Sequence, residues 1–327
     1  VSAVTVITRR NLLAGFSAAA LVRPDRALAA WPERTITMTH GLAVGGGVDV
    51  SARLIAEALS RRLGQQVVVE SKPGAAGTLA AAQVARANPD GYALGYIPSG
   101  HAVAAAIRKS LPYHVTDSFT TIGQVIEFPF VVVTYSGHTI RTMPDLIKTA
   151  RERSDPLLAG VPGQGTPQHL MFEYLSRLAN IKVQVVPFRG GNPALTELLA
   201  KRLDFLIDPP IALLGQIKSG ALQAIAVTGG ARFSGLPDVA TIAEAGFPGF
   251  SVTSWMGVVA PAKLPDEIAA RLNGELNAVV SDPAVVARIR AMGSEPKTGT
   301  QADFRNRIAA DYARWSKVIE DAKIERI

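Results

Sequence analysis

Three glycine turns and two aspartates carry the chemistry that this chain could direct at a small anion. The first turn closes the stretch Met38-Thr-His-Gly-Leu-Ala-Val-Gly-Gly-Gly-Val-Asp49 and leads into a helix read from Asp49 to Leu63. Glycines let a backbone turn its amides toward a ligand, and a helix N-terminus behind them adds unpaired N–H donors and a positive dipole end. Gly45, Gly46, Gly47 and Val48 are therefore candidate ligand contacts. Asp49 reads either as the N-cap of that helix, with the amides left for the anion, or as a contact itself. The second turn is Gly163-Gln164-Gly165-Thr166, followed by Pro167; here Thr166 either caps the next helix or offers its hydroxyl or amide to a ligand. The third is Arg189-Gly190-Gly191-Asn192-Pro193, read with Asn192 as N-cap and Pro193 at the first helical position.

Other side chains have a functional reading and a structural one. Asp208 closes a strand, where it could accept from a ligand ammonium or a water, or bond the Pro209-Pro210 turn. Arg189 reaches either the cleft or solvent, and His101 and His169 are either cleft donors or ordinary hydrogen-bonded histidines. His169 and Glu173 stand four apart, but no third metal ligand is visible, so no metal is expected. Thr78 and Ser99 complete the candidate set, as the residues that end two further loops on the same side.

The sequence carries no Gly-x-Ser-x-Gly elbow, no Walker lysine loop and no His-Glu-x-x-His, and Gly45-Gly46-Gly47 does not extend to a dinucleotide fingerprint. With no cysteine, disulfides, thiol catalysis and thiolate metal sites are excluded. No enzyme and no cofactor is expected. The formal charge of +7 could hint at nucleic acid, but the basic residues are scattered along helices without a basic-aromatic block, so no nucleic-acid partner is expected.

These turns need elements to hold them. Residues 1–30 read as a signal peptide: Thr8-Arg9-Arg10-Asn11-Leu12-Leu13 is twin-arginine-like, an eleven-residue apolar run covers Leu12 to Val22, and cleavage is expected near Ala29 or Ala30. The run falls short of the about 20 residues that span a bilayer. Beyond it 30 basic and 26 acidic residues remain, so much of the basic bias belongs to the leader. From Thr35 onward short β-rich runs alternate with helical patterns, which argues for a parallel sheet with helices on both faces. Thr121 to Tyr135 is β-rich for fifteen residues and suits a segment passing between two lobes; Leu222 to Thr228 reads as the return. The fold expected is α/β and two-lobed, of the periplasmic-binding-protein-like (Venus flytrap) type, with two crossover strands at a hinge. Residues 31–123 and 226–327 would form one lobe and 124–225 the other. A last helix with Phe304, Ile308, Tyr312, Trp315 and Ile319 along one stripe should clamp onto a lobe. In such sheets ligands collect beyond the carboxyl ends of strands, so the Gly45 turn and the Gly163–Thr166 turn are expected to face each other and hold the two ends of a small dianion.

From Trp31 to Ile324 the chain resembles the tripartite tricarboxylate transporter substrate-binding family, the Bug receptors. The resemblance rests on the number, order and spacing of many short matches. They include Gly45-Gly46-Gly47-Val48-Asp49, Glu70-Ser71-Lys72-Pro73-Gly74-Ala75-Ala76-Gly77, Pro89-Asp90-Gly91-Tyr92, Gly163-Gln164-Gly165-Thr166, Val186-Pro187-Phe188-Arg189-Gly190, Leu236-Pro237-Asp238-Val239 and Ala260-Pro261. It implies a periplasmic receptor, a monomer, that closes on a small organic carboxylate held largely by backbone amides and water and hands it to membrane permease subunits. A ligand-sensing subunit for a membrane signalling protein, or an enzyme acting on a small carboxylate, is the alternative. Gly41, Leu42 and Val44 stand where the family usually writes Pro-Phe-x-Pro, Thr78 where asparagine is common, Ala104-Ala105 for Asn-Pro, and Pro209 where asparagine is frequent. These departures lie along the expected pocket and bear on which ligand fits.

Overall fold

The computed structural model describes residues 31–327, so the signal-peptide reading lies outside the described residues. Two mixed sheets organise the chain. The first has six strands in the order β11-β4-β10-β3-β1-β2, with β11 the short edge strand Glu295–Pro296, and the second five in the order β7-β6-β8-β5-β9. In the first, β1 (Ile36–His40) runs parallel to both β2 (Val67–Ser71) and β3 (Ala93–Pro98). In the second, β6 (Leu157–Val161) runs parallel to β7 (Val183–Pro187) and β8 (Phe205–Asp208). The parallel part is as expected from the alternation. The crossing strands differ: β4 (Phe119–Pro129) and β10 (Thr253–Pro261) pair antiparallel, and β5 (Val131–Tyr135) lies antiparallel to β8 and β9 (Leu222–Val227). A strand that leaves one sheet and a strand that returns to it travel in opposite senses, and the alternation pattern carries no information about that.

The β-rich stretch from Thr121 to Tyr135 is two strands in different sheets, β4 and β5, separated by Phe130 alone. The return is later than expected. Leu222–Val227 is the edge strand of the second sheet, and the chain stays with that sheet's core through Ile242, Phe250 and Val252 before entering the first sheet at Thr253. Thr228 stitches the two passages together: its hydroxyl accepts from Phe130 N at 2.9 Å and donates to Val252 O at 2.6 Å.

Both faces of each sheet are covered, so central strands such as β5 and β8 are buried on both sides and read as continuous apolar runs, whereas the edge strands β2 and β7 are partly exposed. On β5 the period of two sends Val131 and Val133 into one core and Val132 into the other. The first sheet carries helices α1 (Gly47–Leu63), α8 (Asp266–Ser281) and α9 (Pro283–Ala291) over one core and α2 (Thr78–Ala85) and α3 (Gly100–Ile107) over the other. The second carries α4 (Met143–Glu152) and α5 (Pro167–Ala179) on one face and α6 (Gly191–Leu199) and α7 (Pro210–Lys218) on the opposite one. Each fully buried Leu, Ile or Phe contributes about 1.5–3 kcal/mol.

The last helix, α10 (Gln301–Asp321), does not clamp onto one lobe. Phe304 and Ile308 pack with Trp255 beside the first sheet, whereas Trp315, Val318 and Ile319 pack into the core of the second. Tyr312, placed on the apolar stripe by its spacing, is exposed, and Asp311 is buried in its stead. The Asp311 carboxylate accepts from Trp255 Nε1 at 2.6 Å and from Arg307 Nε at 3.2 Å. Arg307 also donates to Glu127 Oε1 at 2.9 Å and to Thr253 O at 2.9 Å, tying the helix to the ends of β4 and β10 where the chain crosses between sheets.

Candidate functional site

The first glycine turn is held from below. Gly46 is the N-cap of α1, without a side-chain cap, and Gly45 takes a left-handed φ of 78°. Asp49 lies inside the first turn, not at the cap as its residue type suggested. Its buried carboxylate accepts from the Gly45 amide at 3.0 Å, from Arg53 Nε and Nη2 at 3.0 Å each, and bonds His40 Nε2 at 2.9 Å. The Arg53 guanidinium above all, then the Gly45 amide and His40, hold this carboxyl well below the usual carboxylate range despite its burial. Asp49 is thus fully engaged in shaping the loop and does not line the cleft. Val50 N makes the first intrahelical bond, to Gly46 O at 2.9 Å, which leaves the Gly47 and Val48 amides without an intrahelical partner. Behind the loop Gly41 is pressed against Gly77: a Cβ on Gly41 would stand 2.3 Å from Gly77 Cα.

Between the two sheets lies a cleft of two connected chambers, of about 660 Å³ and about 340 Å³. They share an apolar waist of Leu42, Val48, Phe128, Met256 and Pro209. The larger chamber brings Gly46, Gly47 and Val48 opposite Arg189, Gly190, Gly191 and Asn192, with Asp208 in its wall. The smaller brings Ser99 and Gly100 opposite Gln164, Gly165, Thr166 and Gln168. The expected pairing is therefore corrected. The Gly45 turn faces the Arg189 turn, and the Gly163–Thr166 turn faces the start of α3; of the first turn's residues, Val48 borders both chambers.

Each remaining candidate has a definite place. Thr166 caps α5: its hydroxyl donates to Gly163 O at 2.8 Å and accepts from His169 N at 3.3 Å, so the hydroxyl is committed to the turn. His169 is buried with Nδ1 accepting from Gly165 N at 3.1 Å, which shapes the turn from behind; burial holds its pKa below the ordinary value. Gly163 and Gly45 form their turns without lining either chamber. His101 is not a cleft donor. It is buried against Tyr113 and Phe119 with Nε2 against Val115 O at 3.0 Å, and burial lowers its pKa to about 4. Thr78 is likewise inside, its hydroxyl donating to Ala75 O at 2.9 Å. Both border a void of about 20 Å³ behind the glycine loop. Ser99 lines the smaller chamber with its hydroxyl 2.7 Å from that of Ser254. Asn192 is not an N-cap, because α6 starts one residue earlier behind Gly190, whose φ of 110° suits glycine. Arg189 is exposed at the rim of the larger chamber.

Asp208 is buried at the end of β8, and among the described residues its carboxyl accepts one hydrogen bond, from Gln168 Nε2 to Oδ1 at 2.9 Å. Oδ2 faces the Gly191 backbone, 2.7 Å from where a Cβ would stand. Burial raises its pKa to about 6.

Leu42 stands along the expected pocket, but sequence reading missed Phe128 and Met256 of the waist and the polar lining residues Ser51, Gln168 and Ser254. They carry no motif: Phe128, Gln168 and Ser254 stand near strand or helix ends and Ser51 and Met256 inside an ordinary helix and strand, positions shared by many residues outside the cleft. Among the described residues no group of three or more His, Asp or Glu side chains is placed to hold a metal ion, and no helix is long and apolar enough to cross a membrane.

The family described as tripartite tricarboxylate transporter family receptor matches residues 51–324. This chain belongs to that family. It is 34% identical over 97% of its length, and 96% of the relative's, to the UPF0065 protein in the tcbD-tcbE intergenic region of Pseudomonas sp. (strain P51). Among solved structures it is similar to the periplasmic binding protein BugD, with TM-score 0.77 and 31% identity over 90% of this chain and 99% of that one. It is also similar to the Rpa4515 protein of R. palustris with adipate, with TM-score 0.80 and 32% identity over 91% of this chain and all (100%) of the other. Membership and the two-lobed solute-binding fold confirm the resemblance read from the short motifs.

Proposed function

We propose that this chain is a periplasmic, monomeric receptor that captures a small organic carboxylate between its lobes and delivers it to the permease subunits of a tripartite tricarboxylate-type transporter. The observation that carries the reading is the larger chamber, where the open amides of Gly47 and Val48 face the start of α6 between apolar walls that include Ile126, Phe128 and Met256. Helix N-termini favour anions, and each charge-assisted amide contact contributes about 1.5–3 kcal/mol, so a few of them suffice for micromolar affinity. The adipate bound to a neighbour that is 32% identical fits the same chemistry. Nothing in the cleft favours a covalent mechanism over simple capture: Asp49 is committed to the loop and Asp208 has no nucleophile or base beside it.

The test is a thermal-shift and calorimetric panel of mono-, di- and tricarboxylates on the chain from Trp31. A ligand at 100 times its Kd should add about 2.7 kcal/mol of stability. Gly46→Val, which sets a branched side chain at the mouth of the first turn, should abolish that gain while the fold persists. Silence across the whole panel, or an unchanged affinity in the variant, would count against the site.

A further inference from the structure

Within the larger chamber one group works against an anion seat. Asp208 is 6% exposed, its Oδ2 has no hydrogen-bond partner among the described residues, and it opens on the chamber that receives the Gly47 and Val48 amides. Two carboxylates brought into one desolvated site cannot both stay ionised cheaply. The groups around Asp208 do not relieve the conflict. Gln168 of α5 offers one amide N–H to Oδ1, and α6 presents the Gly191 backbone. α7 begins with Pro209 and Pro210, which lack N–H donors, and β5 contributes Val131 opposite Asp208. Arg189 on the same rim is exposed, with no ion pair to Asp208. His169, next to Gln168 on α5, is spent on the Gly165 amide.

We infer that Asp208 couples ligand capture to the uptake of one proton, binding a carboxylate ligand as a neutral acid that donates its O–H from Oδ2 to a ligand oxygen. This rests on the carboxylate reading of the cleft and adds which form of the site accepts it. One proton comes from solvent per ligand bound, and it remains shared between Oδ2 and the ligand in the complex. The free protein is already part-way there, since burial outweighs the Gln168 hydrogen bond and raises this carboxyl to about 6. His169 is held below its ordinary range by burial, so it does not imitate the effect above neutrality.

The experiment is isothermal titration with adipate between about pH 6.5 and pH 8.5, where a ligand carboxyl of ordinary acidity, near about 4, stays ionised. A single coupled proton predicts Kd weakening by about tenfold per pH unit, on the order of 100-fold across the window. At about pH 7.5 buffers of different ionisation heat should report close to one proton taken up per adipate, a count that needs no variant. Asp208→Asn, which presents a permanent N–H donor in the same shape, should bind with a Kd nearly independent of pH. A flat Kd with no proton uptake in the unmodified protein would overturn the proposal. So would an Asp208→Asn protein that keeps the full slope, or one that loses binding at every pH while still folded, because Asp208 would then act as an ionised acceptor. If adipate, succinate, malate and citrate all fail to bind to both proteins at any pH, the carboxylate reading itself fails and the proton coupling falls with it.

Discussion

At the scale of single residues, the two aspartates flanking the larger chamber show how burial alone does not decide a carboxyl's state. Asp49 meets a guanidinium, a histidine and a backbone amide and is held ionised; Asp208 meets one side-chain amide and is pushed toward neutrality. Asp49 therefore stabilises the folded chain at pH values above its ordinary 3.8, and that contribution is lost as pH falls below it. Asp49→Ala removes the acceptor of the Gly45 amide and strands His40 in the core. We expect a loss of about 2–3 kcal/mol in urea unfolding near neutral pH, together with weaker adipate binding because the first turn is no longer fixed. The difference between variant and parent should shrink in acid, and a constant difference down to pH 3 would mean that the charge is irrelevant. Sequence reading set Asp49 among the candidate contacts and left its role open between cap and contact. An aspartate after three glycines serves equally well as a cap, and only the positions of His40 and Arg53 show that it acts from beneath.

At the scale of elements, the helix read from Asp49 to Leu63 starts two residues earlier, at Gly47, and ends as read, because apolar periodicity survives in one dimension. The strand Leu157–Val161 and the helix Pro210–Lys218 carry their boundaries in the sequence, between turn residues and prolines. What was not legible is which loop meets which. The Gly163–Thr166 turn has the stronger pattern, yet the order of strands in the second sheet sets the Arg189 turn opposite Gly47. The return crossing was misplaced for a related reason: an edge strand such as Leu222–Val227 looks the same whether it ends a sheet or leaves it. The junction that is made by the crossing strands depends on Arg307. Its guanidinium joins Glu127 of β4, Thr253 of β10 and Asp311 of α10, and its side chain is 24% exposed. Arg307→Met keeps the stem and removes the charge, so Asp311 is left with a weaker set of donors. The expected cost is about 3 kcal/mol, read as a lower urea midpoint with an unchanged slope. A shift below about 0.5 kcal/mol, the scale of an ordinary surface substitution, would make the junction incidental.

For the whole molecule, the lobes touch directly along the walls of the cleft. A Cβ on Gly165 would stand 2.9 Å from Ile107 Cδ1, and one on Gly293 would stand 2.9 Å from Pro210 Cβ, so backbone from one lobe rests on the other at two places. α10 adds a third connection by sharing its apolar stripe between both cores. Two cores joined in this way should lose structure together. Calorimetry on the ligand-free protein is expected to give one transition, with calorimetric and van't Hoff enthalpies in agreement. Two resolved transitions would show that α10 belongs energetically to one lobe alone.

The same helix has an optical consequence. All three tryptophans are buried, and two of them, Trp255 and Trp315, lie along α10 where it passes from one core to the other. Trp255 donates its indole N–H to Asp311 at the crossing point itself. Trp31 sits elsewhere, beside Tyr92 and Arg271. The ultraviolet emission of the unlabelled chain is thus weighted toward the seam about which the lobes would turn, and the protein carries its own dye for watching them.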